Sequence, residues 1–213
     1  AASADACGAG QSRPPRRARR TTGVNKKQMY TSFAEVYDQL MDNVNYEDWA
    51  DFYASLLQSG GVGPGSKVCE CACGTGSITI ALSQMGYQMT GVDLSPEMLF
   101  EASQKARKTG VMIPFVKQDM RTLHLHRQMD AVIATCDGVN YLLTDEDVCA
   151  FFRAAYAAMR PGGVLIFDIS TPWKLENVLG IRACPVCWPI GVDGDFQGVY
   201  QRDIGKVLLY RSY

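Results

Sequence analysis

From Met29 onward the apolar positions of the chain fall into periodic blocks. In "YTSFAEVYDQLM", Tyr30, Phe33, Ala34, Tyr37, Leu40 and Met41 recur every three or four residues, which predicts an amphipathic helix. A second stripe of Tyr46, Trp49, Phe52, Tyr53, Leu56 and Leu57 predicts another, and "SGGVGPGS" ends it with glycine and proline that cannot continue a helix. Short apolar runs then alternate with helical stripes. Strands are predicted at 67–72, 87–92, 113–117 and 130–135, and at "VLIFDI" after "RPGG". Helices are predicted at 77–85, from the Ser95 cap with Pro96 and Glu97 to about Lys108, and from the Thr144 cap through Met159. Asp145, Glu146 and Asp147 suit the first turn of that last helix. This alternation implies an α/β fold, a doubly wound parallel sheet preceded by two helices. Residues 181–213 break the rhythm. Only a hairpin-like pair around residues 203–206 stands out there, so the segment is expected to be irregular.

A chain of 213 residues suffices for one such domain with a real core. Its net charge of -1 hides an asymmetry. Residues 1–27 carry seven Arg and Lys against Asp5 alone, a net +6, which leaves -7 on the remainder. Residues 1–28, poor in large apolar side chains, are expected to be a disordered basic tail, and 29–180 the folded domain. An acidic body does not suit a broad grip on nucleic acid, so no DNA partner is expected. No run approaches the ~20 apolar residues needed to span a bilayer, and no secretion signal is present. A soluble, cytoplasmic protein is expected.

Among eight cysteines, Cys69, Cys71 and Cys73 occupy alternate positions. A strand turns such residues to one face, where they cannot surround a tetrahedral ion. Cys184 and Cys187 have metal-type spacing but no second pair. The thiols are expected to pack, and no metal site is predicted. His124 and His126 read as surface residues.

The chemistry lies between the thiols. Gly74 and Gly76 allow a sharp turn and close approach of a ligand at the carboxyl end of the first strand, where open α/β sheets bind ligands. Acids end the strands around it: Glu70 in the first, Asp93 after the second, Asp119 after the third. Asp93 is placed to accept from a ribose diol. A dinucleotide site would need a third glycine, yet Ser77, Ile78 and Thr79 follow Gly76, so NAD is disfavoured.

Taken in order, these motifs resemble the class I S-adenosylmethionine-dependent methyltransferases, over residues 29–179. "VCECACGTG" is similar to the family's first motif, with Glu70 leading and Ala72 where glycine is commoner. "VDLS" resembles the second, with Asp93 and Leu94, and "QDM" the third, with Asp119 towards the adenine amine and Met120 offering backbone. "CDGVNYL", beginning at Cys136, resembles the segment after the fourth strand, and "MRPGGVLIFDI" the approach to the fifth. The resemblance implies a Rossmann-like sheet of order 3-2-1-4-5 and S-adenosyl-L-methionine as cofactor. It implies a first helix, bearing Tyr30, that closes over the cofactor. It also implies cofactor contacts from Tyr30, Glu70, Ala72, Gly74, Gly76, Asp93, Leu94, Asp119, Met120 and Cys136. Asp137, Asn140 and Tyr141 are the candidates for facing the acceptor; loop geometry for Asp137 and packing for Tyr141 are the competing readings. The family's sixth and seventh strands are expected to be missing or diverged. The expected function is methyl transfer to a small molecule or an RNA base; the alternative is a non-catalytic cofactor-binding module or an inactive truncated fold.

Overall fold

A computed structural model describes residues 45–170 and, as backbone strands, residues 195–201 and 205–211. The expected basic tail and the helix carrying Tyr30 lie outside the described residues. Helix α1 (Tyr46–Ser59) opens on Asn45, whose side chain accepts the Glu47 and Asp48 N–H groups. It is the second of the two predicted helices. Then follow β1 (Lys67–Cys71), α2 (Ser77–Gln84), β2 (Gln88–Asp93), α3 (Pro96–Lys108), β3 (Phe115–Lys117), β4 (Met129–Ala134), α4 (Asp145–Ala158) and β5 (Met159–Ile169). Ser95 caps α3 by accepting the Met98 N–H at 3.2 Å, and Thr144 caps α4 by accepting that of Asp147 at 3.2 Å. The capping signals read from the sequence are therefore the groups that start these helices.

Strands β1 to β5 pair in parallel in the order 3-2-1-4-5, with β1 flanked by β2 and β4. Alternation along the strands divides the core into two layers. Val164 and Ile166 of β5 join Val68, Ala131 and Ile133 against Tyr53 and Leu57 of α1 and Ile78 and Leu82 of α2. Leu165 and Phe167 join Cys69, Cys71 and Val132 against Phe151 and Phe152 of α4. The sheet is thus covered on both faces, as a doubly wound arrangement requires. Cys69 and Cys71 are fully buried thiols on the α4 side, packed in the apolar cluster and hydrogen-bonded to each other.

The expectation of an irregular 181–213, with the last strands missing or diverged, needs correction. Asp195–Gln201 forms β6 and Gly205–Arg211 forms β7, antiparallel to each other, and β7 runs antiparallel along β5. Among the described residues the sheet therefore has seven strands, in the order β3-β2-β1-β4-β5-β7-β6. The hairpin-like signal near residues 203–206 marked the join, while the strands themselves lacked a clean alternation. Their pairing is decided by the free edge of β5, a tertiary partner that local pattern does not reveal. No described helix is long and apolar enough to cross a membrane.

Candidate active site

The turn leaving β1 is built from backbone that L side chains rarely adopt. Ala72 (φ 54°), Gly74 (φ 53°) and Gly76 (φ 73°) all lie in the left-handed region. Glycine takes this conformation freely, whereas alanine does so at a cost of roughly 1–2 kcal/mol. The two glycines differ in purpose. Gly74 lines a cavity and no atom would meet a Cβ placed on it, so the space beside it is open. Gly76 does not line that cavity; a Cβ there would sit 3.0 Å from Ala102 Cβ and 3.1 Å from the Phe115 ring. Its absent side chain allows α2 to start tight against α3 and β3.

The three strand-end acids hold different partners. Asp93 Oδ2 accepts the Gly74 N–H and Oδ1 the Ser95 N–H, both at 2.8 Å, so one carboxylate ties the glycine turn to the end of β2. Asp119 caps the short 3-10 turn Met120–Thr122 through the Arg121 N–H. The Arg121 guanidinium closes on it as well and holds its carboxyl below the usual carboxylate range. Glu70 is only 1% exposed, and both of its oxygens are engaged by hydroxyls: Thr135 Oγ1 donates at 2.5 Å and Thr79 Oγ1 donates to the other oxygen. Burial pushes the Glu70 carboxyl up to about 7, against the opposing effect of these two donors. The leading acid therefore borders the site while fastening α2 and the end of β4 to β1.

Beyond β4 the chain turns through Cys136 (φ 54°) and Asp137 (φ 62°), two consecutive non-glycine residues in the left-handed region. Such backbone persists where its surroundings over-determine it. Asp168, at the end of β5 and 1% exposed, accepts the Asp137 N–H at 3.0 Å. Ser170 Oγ donates to Asp137 Oδ2 at 2.7 Å. The Asn140 side chain forms a pair of hydrogen bonds with the Ser170 backbone, at 3.1 and 3.2 Å. Of the three residues expected to face an acceptor, Asp137 and Asn140 are thus occupied in joining this loop to β5 and do not line the cavity. Tyr141 does line it, and is 81% exposed.

The cavity itself, about 430 Å³, lies at the carboxyl ends of β1, β2, β3 and β4. Glu70, Ala72, Gly74, Asp93, Leu94, Asp119, Met120 and Cys136 all border it; Tyr30 lies outside the described residues. Sequence reasoning missed Tyr46, Arg121, Thr135 and Asp147, which also line it. It missed Asp168 too. An acid closing the apolar run "VLIFDI" was the available signal for that residue, because such a group needs a buried partner. Among the described residues, no group of three or more His, Cys, Asp or Glu side chains is arranged to hold a metal ion.

A family model described as "Methyltransferase domain" matches residues 68–163. The chain is 38% identical over 151 residues to YqeM, a protein of Bacillus subtilis (strain 168) named as a methyltransferase, covering 70% of this chain and 59% of that one. It is 28% identical over 152 residues to the glycine/sarcosine N-methyltransferase of Halorhodospira halochloris, covering 70% and 56%. The crystal structure of an S-adenosylmethionine-dependent methyltransferase from Clostridium acetobutylicum ATCC 824 superimposes with a TM-score of 0.63 at 28% identity, over 87% of this chain and 82% of that one. The chain thus spans about three-fifths of the length of the curated relatives it matches.

Proposed function

Because the chain belongs to the class I S-adenosylmethionine-dependent methyltransferases, we propose that it binds S-adenosylmethionine in this cavity and transfers the methyl group to a small molecule. The observation that carries the reading is the convergence of the open Gly74 turn, Asp93 and Asp119 on one cavity at the strand ends. Its volume suits a ligand of nucleoside size. Asp93, Asp119 and Asp147 supply three carboxylates, and Glu70 a further acid held near 7, against the guanidinium of Arg121, which suits a cationic sulfonium.

In this reading Asp93 keeps lone pairs for the ribose hydroxyls while its backbone donors fix its direction. Asp119, held by Arg121, faces the adenine amine, and the Met120 backbone borders the ring. Gly74 lets the backbone approach the amino-acid portion. Ala72, Leu94 and Cys136 form the walls, and Gly76 serves the turn. Tyr30 is proposed as a cover from the resemblance alone. When bound, the cofactor supplies a methyl carbon already activated by its positive sulfur. The chain's remaining task is to align the acceptor and exclude water, so a fixed general base is not required. Tyr141 presents an aromatic wall to the acceptor, and the loop bonds of Asp137 and Asn140 hold it there. The acidic lining supports a small acceptor over the phosphate backbone of RNA.

Calorimetry with S-adenosylmethionine and with its demethylated product tests the binding, with heat of binding expected from both. Untargeted comparison of methylated products in cell extracts, with and without the protein, then tests transfer. Methylated RNA in place of a small product would redirect the acceptor assignment. Binding without any product would favour a cofactor-binding module.

A further inference from the structure

We propose that the hydrogen-bonded pair of Tyr53 and Asp168 is a strut that sets the backbone of residues 136–141, making both of them positioning residues for Tyr141 and Cys136 at the cavity. The inference rests on the reading that this cavity receives methyl donor and acceptor. Helix α1 carries Tyr46 and, two turns later on the same face, Tyr53. Tyr46 lines the cavity, whereas Tyr53 is fully buried, and its hydroxyl donates to Asp168 Oδ1 at 2.9 Å. The other Asp168 oxygen takes the Asp137 N–H at 3.0 Å, at the second of the two left-handed residues. One carboxylate therefore joins α1, the end of β5 and the loop after β4.

Packing alone does not account for this acid. It follows Val164, Leu165, Ile166 and Phe167, all essentially inaccessible, and a carboxyl buried beside such a run is unfavourable unless its oxygens are used. Phenylalanine would fill the space of Tyr53 equally well. Among the residues whose side chains are described, the groups that face Asp168 are Tyr53 from α1, Asp137 and Cys136 from the β4 loop, and Glu70 from β1, and none of these is a cation. Burial pushes the Asp168 carboxyl up to about 6, with Asp137 adding to the rise and the donors from Asp137 and Tyr53 opposing it. The ionised form accepts from both donors. Because the buried value lies above the ordinary 3.8, opening the loop to water is opposed most strongly in acid, so the loop should loosen as pH rises through about 6.

Hydrogen exchange on the full chain between pH 5 and 8, corrected for intrinsic rates, tests the strut in wild type, Tyr53→Phe and Asp168→Asn. Peptides covering residues 136–142 should lose about tenfold protection in both variants, while those of α2 and β1 change by less than about twofold. In wild type the loop's protection should fall as pH rises through about 6. Tyr53→Phe, which keeps the carboxylate but removes a donor to it, should move that fall to higher pH, and Asp168→Asn should abolish it. Unchanged loop protection in both variants overturns the strut, as does loss spread evenly over the molecule with no shift of the pH profile. Should a variant fail to fold, a wild-type loop whose protection is flat across this range would also overturn it. Calorimetry with S-adenosylhomocysteine runs alongside. Absence of heat in wild type would strike the cofactor reading, while the exchange data would still decide the strut.

Discussion

Arg121 closes a fork on Asp119: its Nε lies 3.0 Å from both carboxylate oxygens, one Nη lies 2.5 Å from Oδ2, and the other Nη reaches Asp147 Oδ1 at 2.7 Å. A planar guanidinium bound this way fixes orientation as well as distance. The acid assigned to the adenine amine is therefore aimed in advance, and α4 is tied to the same corner.

Arg121→Lys should keep the charge and lose the fork. Affinity for S-adenosylhomocysteine is expected to fall by roughly three- to tenfold in calorimetry, with little change in thermal midpoint, since the lysine ammonium cannot hold both oxygens in plane. Equal affinity in the two proteins would show that Asp119 needs no such aim.

Asp93→Asn should act on both binding and folding. Asp93 accepts two backbone N–H groups besides the proposed ribose hydroxyls, and an amide turns one acceptor into a donor. Hydrogen bonds to charged groups are worth ~1.5–3 kcal/mol, which predicts about ten- to a hundredfold weaker cofactor binding. A stability loss of about 1–2 kcal/mol in urea should accompany it, because the glycine turn loses an anchor. Intact affinity with reduced stability would confine Asp93 to the turn.

Ala72 and Gly138 should show coupled stabilities. A Cβ on Gly138 would lie 3.1 Å from Ala72 Cβ, so Gly138→Ala is expected to cost about 1–3 kcal/mol through overpacking. Ala72→Gly removes both the opposing methyl and the left-handed strain, and in that background the cost should shrink by about 1 kcal/mol or more. Urea denaturation of the four proteins measures the coupling; additive losses would mean that the loop relaxes elsewhere.

Acid should stabilise the protein through Glu70. Its folded value of about 7 lies above the ordinary 4.5, so its favourable contribution is complete below about pH 4.5 and is lost as pH rises through 7. Asp168, raised to about 6, has the same sign. Asp119 and Asp130, held low by Arg121 and Arg160 respectively, act in reverse at lower pH. The thermal midpoint should thus climb as pH is lowered from 8 towards 6. Glu70→Gln, which can still accept from one threonine hydroxyl, should flatten that climb and be no less stable than wild type at pH 8. A climb of equal size in the variant would assign it to other groups.

Most of the sheet was legible because its signals are local. Apolar runs, the Ser95 and Thr144 caps and the glycine turn each announce themselves within a few residues, and the helices and strands from α1 to α4 begin and end within about two residues of expectation, whereas β5 starts five residues early, at Met159, and takes in the expected "RPGG" stop. The acids at strand ends were legible for a related reason, since a parallel sheet brings those ends together. What escaped depends on partners distant in sequence. Nothing near Asp137 or Asn140 says that Ser170 occupies them, and nothing near Glu70 says that Thr79 and Thr135 use both its oxygens. Arg121 stands in the third motif, yet its fork becomes visible only when α4 brings Asp147 alongside.

The antiparallel seam between β5 and β7 has a consequence for solubility. Six residue pairs, from Val164 with Arg211 to Ile169 with Lys206, cover one side of β5. Without them the run Val164–Phe167 would present its backbone donors and acceptors unpaired beside some of the most apolar sequence in the chain. A bare strand of that composition is a template for pairing with another copy. A version of the protein cut before Gly205 should then self-associate through β5 even with its cavity intact. The last hairpin guards the molecule against itself.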